Sequence, residues 1–365
     1  METRSGDHTL YFEGDALYDD MLAAIARAEA RVWMESYIFS ADGDPVGRRV
    51  GAALARAARR GLDVRLHVDA VGSLFQLPTD FIVTLRRAGV QLRTFHRWSW
   101  RDPWRYNRRN HCKLLIIDRE RVFLGGFNIH RESSAACAGE ARWRDTHIAL
   151  DDPKMAAQAA DLFTTFWTRR IPGPLRRRRL PRRFRGDALV SNRLPRHRLA
   201  LRRLYHHGIR RARQRVLLTT PYFAPDRRTR AHLYAAASRG VTVRLLLPAI
   251  SDQWLLRMAA RHIYTRLLRR GIELYEYCPR TLHAKTMVVD GRLATIGTAN
   301  LDYRSFTHNY EINFVTDRPA VCTELEAQFQ RDLEQAERIT EAHLGRRRWW
   351  ERLAGVFAWR LRRLL

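Results

Sequence analysis

Two stretches of this chain carry the same eight-residue pattern, and that repetition limits the possible folds more than any other feature. The first is His111-Cys112-Lys113-Leu114-Leu115-Ile116-Ile117-Asp118, and the second is His283-Ala284-Lys285-Thr286-Met287-Val288-Val289-Asp290. Each runs through six further residues to a small-residue turn that ends in Asn: Gly125-Gly126-Phe127-Asn128 and Gly297-Thr298-Ala299-Asn300. The interval from His to Asn is 17 residues in both copies, 111 to 128 and 283 to 300. The chain therefore reads as two half-domains, each built to present one copy.

The flanking sequence repeats as well. In the first half, a short strand near Thr9–Glu13 leads into a helix with Asp15 as its expected cap. Strand Arg31–Ser40, helix Val46–Arg60, strand Asp63–Asp69, helix Thr79–Arg87 and strand Gln91–Phe95 follow, with Gly61 and Gly89 closing the helices. The second half offers strand Arg215–Thr220, helix Asp226–Arg239, strand Val241–Leu247, helix Gln253–Arg270 and strand Ile272–Tyr277. Each motif then opens a β-hairpin. Alternating strands and helices imply an α/β fold with helices on both faces of a mostly parallel sheet. The expectation is a duplicated fold of two mixed, mostly parallel sheets with flanking helices, its halves related by a pseudo-twofold axis. The expected divisions are 1–168 for the first half, 169–205 for an Arg-rich connector, 206–345 for the second half and 346–365 for an amphipathic tail. One long helix, Ala320–His343, is expected to close the second half.

On an extended strand, His111 and Lys113 project to one side, as do His283 and Lys285. Imidazole can attack phosphorus or move a proton. An ammonium beside it can hold a phosphate oxygen and stabilise developing charge. The chain has only three lysines among its 66 basic residues, and two of them stand at the matching motif positions, Lys113 and Lys285. A compact ammonium, and not the planar fork of Arg, is wanted there. Asn128 and Asn300 can add uncharged donors. A histidine nucleophile needs its second ring nitrogen held, and Asp145 and Glu311 follow the two hairpins at comparable places. The expectation is that each orients the His of its own half. Asp118 and Asp290 lie farther along with opposite parity to the His, which suits a structural role. Neither a carboxylate cluster nor a His/Cys ligand set is evident, so neither a metal nor another cofactor is expected.

The net charge of +28 implies an anionic partner, nucleic acid or a lipid surface. Cys112, Cys137, Cys278 and Cys322 have no metal or disulfide spacing. The start METRSGDHTLYFEGD lacks a signal-peptide core, and no apolar run reaches the ~18 residues of a spanning helix, so a chain facing the cytosol is expected. Residues 169–185 hold nine Arg and no acid, either a solvated linker or a binding stretch for anionic headgroups. The tail RRRWWERLAGVFAWRLRRLL gathers Trp349, Trp350, Leu353, Val356, Phe357, Leu361 and Leu364 on one helical face. That composition suits a helix lying in the headgroup plane, although such a helix can also pack on the protein body.

The paired His-Lys-Asp signature, His111/Lys113/Asp118 and His283/Lys285/Asp290, resembles that of the phospholipase D superfamily. The resemblance covers nearly the whole chain. YFEGDALYDDMLAAI, HCKLLIIDRERVFLGGFNI, LHAKTMVVDGRLATIGTANLDYRS and the Trp-Trp tail are most similar to bacterial cardiolipin synthases without N-terminal spans. That resemblance implies catalytic roles for the motif residues. His111 would form a phosphatidyl-histidine intermediate, while His283 protonates the departing glycerol and then deprotonates an acceptor hydroxyl. Phosphatidylglycerol would be substrate, at the cytoplasmic face of the bacterial inner membrane. Hydrolysis of phospholipid or nucleic acid by the same site is the alternative, with the Trp-rich tail arguing against nucleic acid.

Overall fold

The computed structural model describes residues 2–5, 7–96, 100, 106–168, 184–345 and 347–362. Most of the Arg-rich stretch, 169–183, lies outside the described residues. The chain divides into two units. The first holds residues 1–180 together with Asn309–Ile312, and the second holds 181–308 and 313–365.

The first unit is built on strands β1 (Glu2–Ser5), β2 (His8–Tyr11), β3 (Arg31–Ser36), β4 (Asp63–Asp69), β5 (Gln91–Phe95), β6 (Leu114–Ile117), β7 (Arg121–Gly125) and β8 (His147–Asp151). They form one sheet in the order β1-β2-β8-β7-β6-β3-β4-β5. Helices α1 (Gly14–Arg27), α2 (Pro45–Arg59) and α3 (Thr79–Arg87) precede β3, β4 and β5 respectively, while the short α4 (Ala135–Ala138) and then α5 (Pro153–Trp167) flank β8. Alternation along β3 sets the two layers. Val32 and Met34 join the core that Leu17, Met21 and Ile25 of α1 and Val50 and Leu54 of α2 fill. Trp33 points to the other face and stacks on Phe163 of α5, ring centroids 5.1 Å apart. Helix α1 begins at Gly14, so Asp15 lies inside its first turn; its carboxylate instead accepts the amides of Ala135 and Ala136, capping α4.

The second unit comprises β9 (Ala188–Ser191), α6 (Ala200–Arg211), β10 (Arg215–Thr219), β11 (Phe223–Ala224), α7 (Arg227–Ser238), β12 (Thr242–Pro248), α8 (Trp254–Leu268) and β13 (Glu273–Tyr277). It continues with β14 (Thr286–Val289), β15 (Leu293–Gly297), β16 (Leu301–Asp302), α9 (Tyr303–Thr307), β17 (Ile312–Thr316), α10 (Pro319–Glu334), β18 (Ala336–Ile339), α11 (Glu341–Gly345) and α12 (Trp349–Leu361). Its large sheet runs β18-β13-β12-β10-β14-β15-β17-β9. From β9 to β13 this order repeats β2-β8-β7-β6-β3-β4-β5 strand for strand.

Both sheets are mixed, but the expectation of mostly parallel pairing fails. Only β3–β4, β4–β5, β10–β12 and β12–β13 pair in parallel among the described ladders of the large sheets. Helical crossovers make those four, while each motif hairpin and the strands beyond it add antiparallel neighbours. Two further expectations change. The stretch read as connector already contains β9 and the first half of α6, so the second unit begins inside it. The expected long helix stops at Glu334, and Ala336–Ile339 turns back as an antiparallel edge strand on β13.

Candidate active site

Each motif hairpin turns at its aspartate, between β6 and β7 or between β14 and β15. Asp118 and Asp290 take left-handed backbone, φ 50° and 52°, a conformation that Asp tolerates better than most residues. The Asp118 carboxylate accepts the amides of Glu29, Ala30 and Arg31 at 3.1, 2.8 and 2.9 Å. Asp290 accepts those of Arg213, Gln214 and Arg215, all at 2.8 Å. Partial burial alone would raise the Asp118 pKa, but the three amide donors outweigh it and hold the carboxyl below its usual range. Both acids thus clamp the start of the neighbouring strand, β3 or β10. Their geometry is structural, and the motif places them away from the chemistry that His and Lys can perform.

The His and Lys of the first motif precede the strand instead of lying on it. His111, Cys112 and Lys113 form a lead-in outside the strand, and β6 begins at Leu114. His111 and Lys113 are buried. Nδ1 of His111 lies 2.9 Å from Oε2 of Glu311, whose side chain is fully buried. The expected partnership is therefore revised: the acid on His111 is Glu311 and not Asp145. Glu311 reaches it because Asn309–Ile312 belong to the first unit. There Tyr310 and Asn110 form a parallel bridge, and the His111 amide donates to the Tyr310 carbonyl at 2.9 Å. Asp145 is buried against the Gly126 backbone, where a Cβ at 126 would meet its Oδ1 at 1.9 Å. It also accepts the amide of Thr146 at 2.8 Å.

Lys113 curls back so that Nζ donates to the His111 carbonyl at 2.9 Å. Asn128 accepts the Ile38 amide on Oδ1 at 3.1 Å, which fixes the side-chain amide and turns its NH2 into the available donor group.

In the second unit, Lys285 donates to Nδ1 of His283 at 2.8 Å and also to the His283 carbonyl. Asn300 is buried, and its side-chain oxygen meets no hydrogen-bond partner among the described residues. The two imidazoles are thus held differently. A carboxylate can only accept, so the proton of neutral His111 sits on Nδ1 and the lone pair on Nε2. An ammonium can only donate, so Nδ1 of His283 accepts and its proton sits on Nε2. The first arrangement suits a nucleophile, and the second suits a proton donor once Lys285 has passed a proton to Nδ1.

Sequence reasoning missed three supporting groups. Tyr37 lies edge-on to His111 with centroids 4.8 Å apart, and Lys113 Nζ stands 5.2 Å from its ring centre. Tyr222 meets His283 edge-on at 6.3 Å. Phe39 and Phe223 correspond in the repeat, but Tyr222 stands in register with Ile38 and not with Tyr37, so no aligned pair of tyrosines marked them. Asp69 accepts the Asn110 amide at 2.8 Å and pairs with Arg109, fixing the backbone just before His111. Burial raises the pKa of Asp69, against the lowering pull of Arg109 and its amide donors. Nothing local in the sequence marked it.

A profile described as "Cardiolipin synthase, PLD-like domain" matches residues 21–167 and 205–333, well over half of the chain. The chain belongs to this cardiolipin synthase family of the phospholipase D superfamily. Membership places it among the phosphatidyltransferases of that superfamily. It is 33% identical to the probable cardiolipin synthase YwiE of Bacillus subtilis over 340 residues, covering 90% of this chain and 66% of that protein. It is 34% identical to cardiolipin synthase A of Pseudomonas entomophila, covering 91% of this chain and 69% of that one. The chain therefore spans about two thirds of the length of these two relatives. The phospholipase D fold is shared with the phosphatidylserine synthase of Haemophilus influenzae at a TM-score of 0.76 and 13% identity, covering 100% of this chain and 97% of that one.

Proposed function

We propose that this enzyme transfers a phosphatidyl group between two phosphatidylglycerol molecules, giving cardiolipin and glycerol. The observation that carries the assignment of roles is the opposite tethering of the two imidazoles, His111 by the Glu311 carboxylate and His283 by the Lys285 ammonium. Nε2 of His111 attacks phosphorus, and the bond to the glycerol oxygen breaks. His283 gives its Nε2 proton to that departing oxygen as the Lys285 ammonium passes a proton to Nδ1, a transfer reversed in the second step. The primary hydroxyl of a second phosphatidylglycerol then returns a proton to His283 as its oxygen attacks phosphorus, and the phosphorus–nitrogen bond breaks. Lys113, Lys285, Asn128 and Asn300 hold the non-bridging oxygens, so that fixed charge is aimed where negative charge develops. Glu311 stabilises the cationic ring that phosphoryl attachment creates on His111. The duplicated motifs and their equal onward spacing support both acting on one phosphodiester.

Among the described residues, no helix is long and apolar enough to cross a membrane. Peripheral attachment is the reading that α12 supports. One side of this helix packs on α8: Gly355, Ala358 and Trp359 are buried, and Trp359 stacks on His262 at 5.9 Å. The other side presents Trp349, Leu353 and Phe357 to solvent at 73, 60 and 59% exposure. An aromatic stripe among arginines suits an anionic headgroup layer, here on the cytoplasmic side of the inner membrane.

Lipid product analysis with phosphatidylglycerol vesicles tests the reaction. Cardiolipin and free glycerol in equal amounts, lost in His111→Ala and His283→Ala, are expected. Phosphatidic acid as the main product would replace transfer by hydrolysis. Label trapped on His283 would reverse the roles of the two histidines.

A further inference from the structure

Outside α12, four of the six exposed large apolar side chains among the described residues gather at corresponding places in the two units. The loop after β4 presents Leu74 and Phe75 at 48 and 86% exposure, and the loop after β12 presents Ile250 and Trp254 at 50 and 46%. These loops follow equivalent parallel strands of the repeat, at their carboxyl ends. A phenylalanine left almost wholly in water is costly. Phe75 is also held at φ 59°, a conformation that a bulky side chain adopts only under constraint.

The constraint is visible at the shoulders of the loop. Ser73 Oγ donates to the Tyr37 carbonyl at 3.1 Å and accepts the Phe39 amide at 3.0 Å. The Gln76 carbonyl accepts the Ala41 amide at 2.8 Å, and the Gln76 side chain accepts from Ser40 Oγ at 2.7 Å. Leu74 and Phe75 thus form a rigid tip on an ordered base. In the second unit, Asp252 stands between Ile250 and Trp254 and accepts the Tyr222 hydroxyl at 2.9 and 2.7 Å. Each tip is therefore tied to the tyrosine that lies against the motif histidine of its own unit: Tyr37 to His111, and Tyr222 to His283. Trp254 also opens α8, the helix on which α12 displays its aromatic stripe.

We infer that the Leu74–Phe75 and Ile250–Trp254 tips enter the acyl boundary of an anionic phospholipid bilayer, each next to the motif of its own unit, so that substrate headgroups are taken from the interface and not from water. The net charge of +28 favours an anionic lipid surface as occupant over an apolar protein partner. This inference rests on the phospholipid reading of the site and adds the surface by which substrate is reached.

The test uses the full chain carrying Phe75→Asn with Leu74→Ser, or Ile250→Ser with Trp254→Ser. Asn tolerates the left-handed backbone at 75, so the first variant keeps its fold. Turnover is compared on phosphatidylglycerol vesicles and on dispersed short-chain phosphatidylglycerol below its micelle threshold, with vesicle sedimentation alongside. Vesicle turnover and binding are expected to fall about tenfold per loop while turnover of dispersed lipid is unchanged. Equal turnover on vesicles, or an equal fall on both substrates, would overturn the inference. Weaker sedimentation of the variants with no wild-type turnover on either lipid would leave the tips as membrane contacts and refute the transfer reaction instead.

Discussion

The sharpest consequence of the site concerns Glu311. Its carboxylate is fully buried and bonds Nδ1 of the buried His111 at 2.9 Å. Replacement by Gln keeps the size and removes the charge. In the proposed reaction, attack by Nε2 places positive charge on the ring, so the carboxylate would contribute more in the transition state than in the resting enzyme. Removing one partner of a buried ion pair costs about 3 to 5 kcal/mol, which corresponds to a slowing of roughly a hundredfold to several thousandfold. The loss belongs in kcat, because the interaction strengthens only as the bond to phosphorus forms. Glu311→Gln should therefore make cardiolipin at least ~100-fold more slowly at saturating phosphatidylglycerol. KM should change little, and a rapid-quench burst of released glycerol should shrink with kcat. Thermal unfolding within a few degrees of wild type would separate this from misfolding. A Glu311→Gln enzyme with more than a third of wild-type kcat would refute the positioning role, as would a loss confined to KM.

Four further outcomes follow from other parts of the molecule. Asp118→Ala removes three amide contacts and places Ala at φ 50°, so unfolding free energy should drop by about 1 to 3 kcal/mol. Asp118→Asn, which tolerates that backbone, should lose less, and urea titration ranks the two. Gly126→Ala drives a Cβ to 1.9 Å from Asp145 Oδ1; it should lower both Tm and turnover, and an unchanged Tm would contradict the close packing. His147 is buried, with neither ring nitrogen meeting a hydrogen-bond partner among the described residues. Burial first, with Lys113 adding to it against Asp145, pushes its pKa down to about 3. The unfolded chain binds that proton below the ordinary value of about 6.5, so this share of stability is complete above that pH and erodes as pH falls toward 3. His147→Asn, the residue type of the equivalent Asn313, should flatten the slope of urea midpoint against pH in that window. Leu353→Ser with Phe357→Ser should weaken sedimentation with anionic vesicles even at high salt, because it removes apolar area and leaves the arginines in place; binding unchanged would reject α12 as an attachment helix.

Much of the scaffold was legible because local pattern and tertiary structure agree. Strands Asp63–Asp69 and Gln91–Phe95 and helix Thr79–Arg87 appear with the expected ends. Their apolar periods match the layer each one covers, and glycines mark the helix ends. The repeat also drew attention to both His-Lys pairs, while Asp118 and Asp290 lie in the hairpin turns with left-handed backbone, which strand parity does not describe. The misses depended on distant partners. Asp15 looked like a cap for its own helix, yet it caps a turn 120 residues away. Ala336–Ile339 follows a helix without a glycine stop and becomes a strand only because the edge of β13 accepts it. The acid for His111 was assigned by sequence proximity, whereas it is decided by a four-residue passage of the chain from one unit into the other.

That passage affects the order in which the enzyme becomes competent during synthesis. The first unit lacks both the carboxylate on His111 and the bridge to Asn110 until position 312 has been translated. A nascent chain released early, or a fragment ending near residue 180, would carry an intact first motif with an untethered imidazole. On the proposed mechanism, His111 is therefore armed only when nearly all of the second motif's scaffold has also left the ribosome, and unfinished copies present no tethered imidazole to the lipids around them.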